Sequence, residues 1–329
     1  MKNSKFKLIA SAAVAASLLL TVVAPASQAA PQSVKKVAFF GFWKTNSFTA
    51  AVLAGVQSEA ASKGLTVVDL TGAEYDGAAQ LKAIQDQTVK GDAQMYVILA
   101  IDSIGVANAV KDAIAKGITV VSAFTPIGPD FTTLTPQVPG MVVVAETPTS
   151  NGDGLAKMAA MACRTKKACN VAYLEGLKTL PLDNARTNAF KAGLKKYAPK
   201  AKLVADVEGG YAPDSGKKAA QDVLQAHPET NVMVGSSQAI IGAAGVVDTK
   251  AVSLIGNGAS KEAYAGVQGG TWFSCYNLDV PGIGSKSVQY GLIASRGNNP
   301  PPYNIQNLTN RLGTASVLMG KTAGYSDLG

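Results

Sequence analysis

Few residues in this chain could carry out covalent or acid–base chemistry, and they are scattered. His227 is the only histidine among 329 residues and lies in Ala226-His227-Pro228-Glu229. That is the end of a helical stretch, where a cation complements the helix dipole. A Ser-His-Asp or Cys-His arrangement would depend entirely on it, and its position supports neither. Gly320-Lys321-Thr322 has the ending of a phosphate loop, but the glycine required five residues earlier is Ala315. No strand–loop–helix pattern surrounds it either. The first strand is followed by Gly41-Phe42-Trp43-Lys44 rather than a glycine-rich dinucleotide fingerprint. No cluster of acidic residues suggests a catalytic metal. This inventory points to binding without chemistry, and to no cofactor.

The three cysteines fit that reading. Cys163 and Cys169 flank five residues, and in an exported chain a small surface disulfide is expected, with two free thiols as the alternative. Cys275 sits in Trp272-Phe273-Ser274-Cys275-Tyr276 and reads as a buried small hydrophobe. Without third and fourth ligands, the pair makes no zinc site.

The elements that would position any site follow a repeating phrase. Lys36-Val37-Ala38-Phe39-Phe40-Gly41-Phe42 is a near-continuous apolar run, the mark of a strand buried on both faces. A helix is predicted over 47–63, with Ser47 as N-cap and Gly64 just past its end. Lys-Gly closes three helices, at Lys63-Gly64, Lys90-Gly91 and Lys116-Gly117, and an apolar strand follows each. Such strand–helix units give a parallel sheet with right-handed connections. A Pro/Gly/Thr-rich stretch, 125–140, precedes a strand at 141–145. Residues 147–154 read as a polar break between lobes. A second series then has strands near 171–174, 202–205, 232–234 and 252–255, with helices starting near Leu182, Asp214, Gln238 and Lys261. A last helix covers about 280–296, and Pro300-Pro301-Pro302 reads as a crossing segment. The fold class is therefore α/β, with two doubly wound parallel-sheet lobes joined by a hinge around a ligand cleft. The expected lobes are 30–146 plus 278–303, and 147–277 plus 304–329. Ligands bind at the strand C-terminal edges of such sheets.

Length and charge agree. Lys2, Lys5 and Lys7 precede an apolar run over 8–23 and a small-residue stretch ending in Ala29-Ala30. That is the order of a secretory signal peptide, 1–29, with cleavage after Ala29 or, as competitor, Ala26. The run is shorter than the roughly 20 residues a spanning helix needs. The formal charge of +8 includes the three early lysines and is otherwise interspersed, so nucleic acid is not an expected partner.

Several phrases together resemble the periplasmic sugar-binding proteins of ABC importers, the ribose-binding-like group of the type I periplasmic binding fold. They are Asn46-Ser47-Phe48, Gly55-Val56-Gln57-Ser58-Glu59-Ala60, Gln85-Asp86-Gln87-Thr88-Val89-Lys90-Gly91, Asn184-Ala185-Arg186-Thr187-Asn188-Ala189-Phe190 and Leu224-Gln225-Ala226-His227-Pro228-Glu229. The resemblance implies a polar contact from Asn46, an aromatic wall from Phe48, a ligand-reaching Arg186 and a stacking Tyr211. Where the family carries carboxylates, this chain has Phe124 and Thr125, then Ser236-Ser237, then Gly256-Asn257-Gly258; Asn277 stands for a glutamine at the cleft crossing. With Trp43 added, the candidate ligand set is Trp43, Asn46, Phe48, Phe124, Thr125, Arg186, Tyr211, Ser236, Asn257 and Asn277. Losing carboxylates, which accept hydrogen bonds from hydroxyls strongly, suits a less hydroxylated or anionic ligand. The resemblance further implies an extracytoplasmic monomer that closes on a small polar ligand and serves a membrane ABC permease. A sensory receptor docking on a chemoreceptor or histidine kinase is the alternative. A repressor with the same lobes would need a DNA-binding helix pair where the signal peptide stands.

Overall fold

Residues 33–329 are described by a computed structural model; the expected signal peptide and its cleavage site lie outside them. The first lobe opens with β1 (Lys36–Phe40), α1 (Ser47–Ser62), β2 (Thr66–Asp69) and α2 (Gly77–Lys90). It continues with β3 (Met95–Ile98), α3 (Ala107–Ala115), β4 (Thr119–Phe124) and β5 (Val142–Ala145). Its sheet runs β2-β1-β3-β4-β5, every neighbour parallel. β3 and β5 are buried throughout, as is β1 beyond Lys36. That burial is why these strands read as unbroken apolar runs.

The second lobe repeats the plan with α4 (Pro148–Cys163), β6 (Asn170–Glu175), α5 (Pro181–Tyr197), β7 (Lys202–Glu208), α6 (Pro213–Ala226) and β8 (Val232–Ser236). Then come α7 (Ser237–Ala244), β9 (Ser253–Asn257), α8 (Lys261–Gln268) and β10 (Ser274–Tyr276). Its parallel order, β7-β6-β8-β9-β10, matches the first. The chain then returns. α9 (Val280–Ala294) packs on α1, and β11 (Tyr303–Asn304) extends the first sheet beside β5. β12 (Leu312–Gly313) pairs antiparallel with β10, and α10 (Ala315–Leu318) follows. One apolar cluster runs through both lobes, including Phe39, Val52, Val144, Leu155, Tyr173 and Phe190. The outer face of each sheet has its own core.

The Lys-Gly phrases end their helices as expected. Gly64, Gly91 and Gly117 have φ of 68°, 67° and 84°, the left-handed conformation that glycine adopts without strain. Two readings are corrected. The N-cap of α1 is Asn46, whose side chain accepts the Thr49 amide at 2.8 Å, and Ser47 is the first helical residue. The polar stretch 147–154 is no break after Thr147. Thr147 caps α4, Pro148 fits its first turn, and Asn151, Gly152 and Gly154 are buried within it. The chain nevertheless passes between the sheets at 146–147, and again at 277–279 and 305–311.

A hydrogen-bond network ties these three crossings. The Glu146 carboxylate accepts from Tyr276 at 2.8 Å and from Gln306 at 2.9 Å, and Gln306 also donates to Ser150 at 3.0 Å. Burial pushes the Glu146 carboxyl above its ordinary value, although these donors and two arginines oppose the shift. Cys163 and Cys169 are bonded, with Cα atoms 5.3 Å apart. Cys275 is buried, and burial pushes its thiol up to about 12. Among the described residues no helix is long and apolar enough to cross a membrane, and no cluster of potential metal ligands occurs.

Candidate ligand-binding cleft

The C-terminal edges of the two sheets face each other across a cavity. It encloses about 590 Å³ of free space, its open mouth included. The first lobe supplies an aromatic wall. Phe42 and Trp43 follow β1, Phe48 starts α1, Tyr75 precedes α2 and Phe124 ends β4. Their rings form one cluster, with centroids 4.7 Å apart for Phe48 and Phe124, 5.1 Å for Trp43 and Tyr75, and 5.9 Å for Phe42 and Tyr75. Phe124 is the one non-glycine residue with positive φ, 70°, among the described residues. The Thr125 amide bonds back to the Ala123 carbonyl at 2.9 Å, so the chain bends sharply there. A bulky residue in this region is strained, and the strain falls at the ring that meets the cleft.

The second lobe supplies the polar side. Leu182 and Arg186 project from the first turns of α5, Tyr211 follows β7, Ser237 and Gln238 open α7, and Asn257 ends β9. Arg186 is 4% exposed and Asp183 2%. One guanidinium nitrogen donates to Asp183 Oδ1 at 2.5 Å and to the Tyr211 hydroxyl at 3.0 Å, and Tyr211 donates to the same carboxylate oxygen at 2.6 Å. The other Asp183 oxygen accepts the Leu177 amide at 2.8 Å. Gly176 leaves the room this cluster needs, since a Cβ there would lie 2.3 Å from Asp183 Oδ2. Burial opposes the Arg186 charge, yet the Tyr211 and Asp183 oxygens more than offset it and raise its pKa. Burial, reinforced by Asp183, raises the Tyr75 and Tyr211 hydroxyls well above the ordinary tyrosine range, so both stay protonated donors at neutral pH. Arg186 Nε is buried with no protein partner.

Among the described residues, no Asp or Glu lines the cavity. The other polar side chains are partly spent on the protein itself. Asn46 caps α1, and Asn257 and Asn151 exchange amide hydrogen bonds at 3.1 Å. The arrangement is a cavity faced by aromatic rings, with one structurally fixed cation on its polar side. His227 lies far down the chain at the end of α6, 3.5 Å from Glu229.

Seven of the ten sequence candidates line the cleft: Trp43, Asn46, Phe48, Phe124, Arg186, Tyr211 and Asn257. Three do not. Thr125 is buried beyond the bend at Phe124, and its carbonyl accepts from Ser122. Ser236 is the N-cap of α7, its hydroxyl held by the Ala239 amide and the Gly210 carbonyl, so Ser237 faces the cavity instead. Asn277 is bound to Tyr264, Thr309 and the Asn310 carbonyl, and braces the hinge.

The family model described as the periplasmic binding protein domain matches residues 37–299. The chain belongs to that family. Among solved structures, a periplasmic solute-binding protein of an ABC transporter from Actinobacillus succinogenes 130z, with bound D-allose, superimposes with a TM-score of 0.72 at 16% identity. That match covers 82% of this chain and 95% of the other. A solute-binding protein from Agrobacterium vitis bound with α-D-tagatopyranose gives 0.73 at 16% identity, covering 87% and 96%. The binding component of the arabinose ABC transporter from Shewanella sp. ANA-3 gives 0.71 at 17%, covering 85% and 91%. No curated protein matches by sequence. These likenesses confirm the two-lobed fold of the family.

Within that periplasmic binding fold, the residues that the sequence did not reveal are Phe42, Tyr75, Leu182, Ser237, Gln238, Leu278 and Tyr325. Phe42 and Ser237 each adjoin a residue the sequence did single out. Tyr75 lies in a loop without periodicity, and Tyr325 in a tail with no pattern to place it.

Proposed function

We propose that this chain is the extracytoplasmic solute-binding component of an ABC importer, a monomer that captures a small ligand between its lobes without chemical change. The observation that carries this reading is the cleft between two sheets of matching parallel strand order, aromatic on one side and holding Arg186 on the other. Structural neighbours with bound sugars support a compact ring as ligand. Ring faces would pack on Phe48, Phe124 and Tyr75, while an acceptor edge would meet Arg186, whose fork of fixed donors suits it. The absence of lining carboxylates favours a sugar-like ligand with few hydroxyls or one anionic group. The bodies that close about the three crossings are the first lobe, which keeps both Tyr303 and Asn304 of β11, and the second lobe, which the chain re-enters only after the crossing at 305–311. The closed form would present both lobes to a membrane permease.

A thermal-shift screen of the mature protein against D-allose, tagatose, L-arabinose, deoxysugars and small carboxylates tests this. A ligand at a hundredfold excess over its Kd adds roughly 2.7 kcal/mol of stability. Arg186→Met should abolish the response to the best ligand. A panel with no response, or a response indifferent to Arg186→Met, would refute the assignment.

A further inference from the structure

The segment 319–329 lies beyond the residues that match the family model, 37–299, yet it reaches the ligand cavity. It is anchored along α8 in the second lobe. Gln268 donates to the Leu318 and Lys321 carbonyls at 2.8 and 3.0 Å. The Lys261 amide donates to the Tyr325 carbonyl at 2.8 Å, and Glu262 accepts the Asp327 amide at 2.9 Å and the Ser326 hydroxyl. These contacts would suffice for a tail that merely packs on its own lobe, but the segment goes further. Tyr325 is 7% exposed and lines the cavity. Gly258 makes room for it. With φ of 144°, a Cβ there would lie 2.4 Å from Ser237 Oγ and 3.2 Å from the Tyr325 hydroxyl. Asp327 then crosses to the opposite lobe, where Ser47, the first residue of α1, donates to its Oδ1 at 2.9 Å. Gly324 also approaches Pro281 of α9.

We propose that 319–329 is a strap that completes the ligand site: Tyr325 is a wall that limits ligand size, and the Asp327–Ser47 contact ties the lobes in the closed form. The inference rests on the importer-receptor reading for its ligand, but not for its geometry. The carboxyl lies against the N-terminus of a 16-residue helix, where the dipole favours an acceptor of negative charge. That attraction exists only while the two lobes are together. Gln238 of the second lobe also approaches the same Ser47 hydroxyl, at 3.4 Å. Ser47 is therefore where strap, first lobe and second lobe meet.

Two measurements on the full mature chain test the strap. The pair Ser47→Cys/Asp327→Cys should cross-link under mild oxidation, and small-angle scattering should then report a smaller radius of gyration than for the reduced pair. The native cysteines do not interfere, one pair being bonded and Cys275 buried. Failure to cross-link would overturn the tie. Separately, the best ligand of the panel should bind Tyr325→Ala about tenfold more weakly, the worth of one aromatic contact, and Tyr325→Phe nearly as well as wild type. Ser47→Ala should weaken it comparably, since Asn46 still caps α1. A bulkier homologue of that ligand should gain on Tyr325→Ala. Unchanged affinity and size ranking would overturn the wall. If wild type binds no panel member, the receptor reading fails, while cross-linking still decides the strap.

Discussion

Replacing Asp183 by alanine should destabilise the second lobe far beyond the loss of an ordinary ion pair, because Arg186 would be left charged and buried. Exposed pairs such as Lys82–Asp86 and Lys218–Asp222 contribute about 0–1 kcal/mol. The Asp183–Arg186 pair is different in kind. Its side chains are 2% and 5% exposed, and Asp183 satisfies Arg186, Tyr211 and the Leu177 amide at once. Breaking a buried pair from one side costs roughly 3–5 kcal/mol. For a chain of this size, each kcal/mol lowers Tm by about 1.5–2 °C, giving an expected drop of about 5–10 °C. The penalty comes from the stranded charge, so Asp183→Ala/Arg186→Met should recover much of it, while ligand binding stays lost. Urea unfolding of wild type, both single variants and the double variant closes the cycle. Should Asp183→Ala cost less than about 1 kcal/mol, or the double variant be no more stable than Asp183→Ala, the buried-charge argument is wrong.

Other outcomes follow from the same structure. A carboxyl raised by burial holds its proton longer in the folded than in the unfolded chain, so stability falls as pH rises from about the ordinary glutamate value through the raised one. The wild-type Tm should therefore decline across that interval because of Glu146, with a contribution from Asp327, which burial also raises. Glu146→Gln, which still offers Tyr276 and Gln306 an acceptor, should show a flatter Tm–pH curve there. Gly55→Ala should cost about 1–3 kcal/mol in urea unfolding, because the new methyl would sit 1.9 Å from the Pro281 carbonyl oxygen and push α1 off α9. Removing the Cys163–Cys169 bond with Cys163→Ala/Cys169→Ala should cost about 2 kcal/mol, as expected for a short closed loop, with no change in ligand affinity.

The frame was legible because it is written in local rules: apolar runs for doubly buried strands and Lys-Gly for helix ends. The candidate cleft was legible through the family resemblance more than through those rules. Asn46, Phe48 and Arg186, which the family resemblance implied, lie at or just inside the starts of α1 and α5, helices that the pattern located. The candidate set and the cavity lining differ where one residue of offset decides which way a side chain points. Ser236 spends its hydroxyl on capping, so its neighbour faces the cleft. The positive φ of Phe124 turns the chain so that its ring, and not Thr125, enters. Asn277 looked like a cleft residue because it stands at a crossing, but all its bonds are made within the hinge. Tyr75 and Tyr325 reach the cavity from irregular segments, where only tertiary packing says what is near.

The return of the chain to the first sheet has a consequence for biogenesis. β5 stays an open edge until Tyr303 and Asn304 arrive, α1 lacks its partner until residues 280–294 exist, and β10 waits for Leu312 and Gly313. Neither sheet can be sealed until residues 280–313 have left the ribosome. Pairings this distant in sequence are slow to form, which keeps the nascent chain pliable, the condition in which a polypeptide can be threaded across a membrane before it folds.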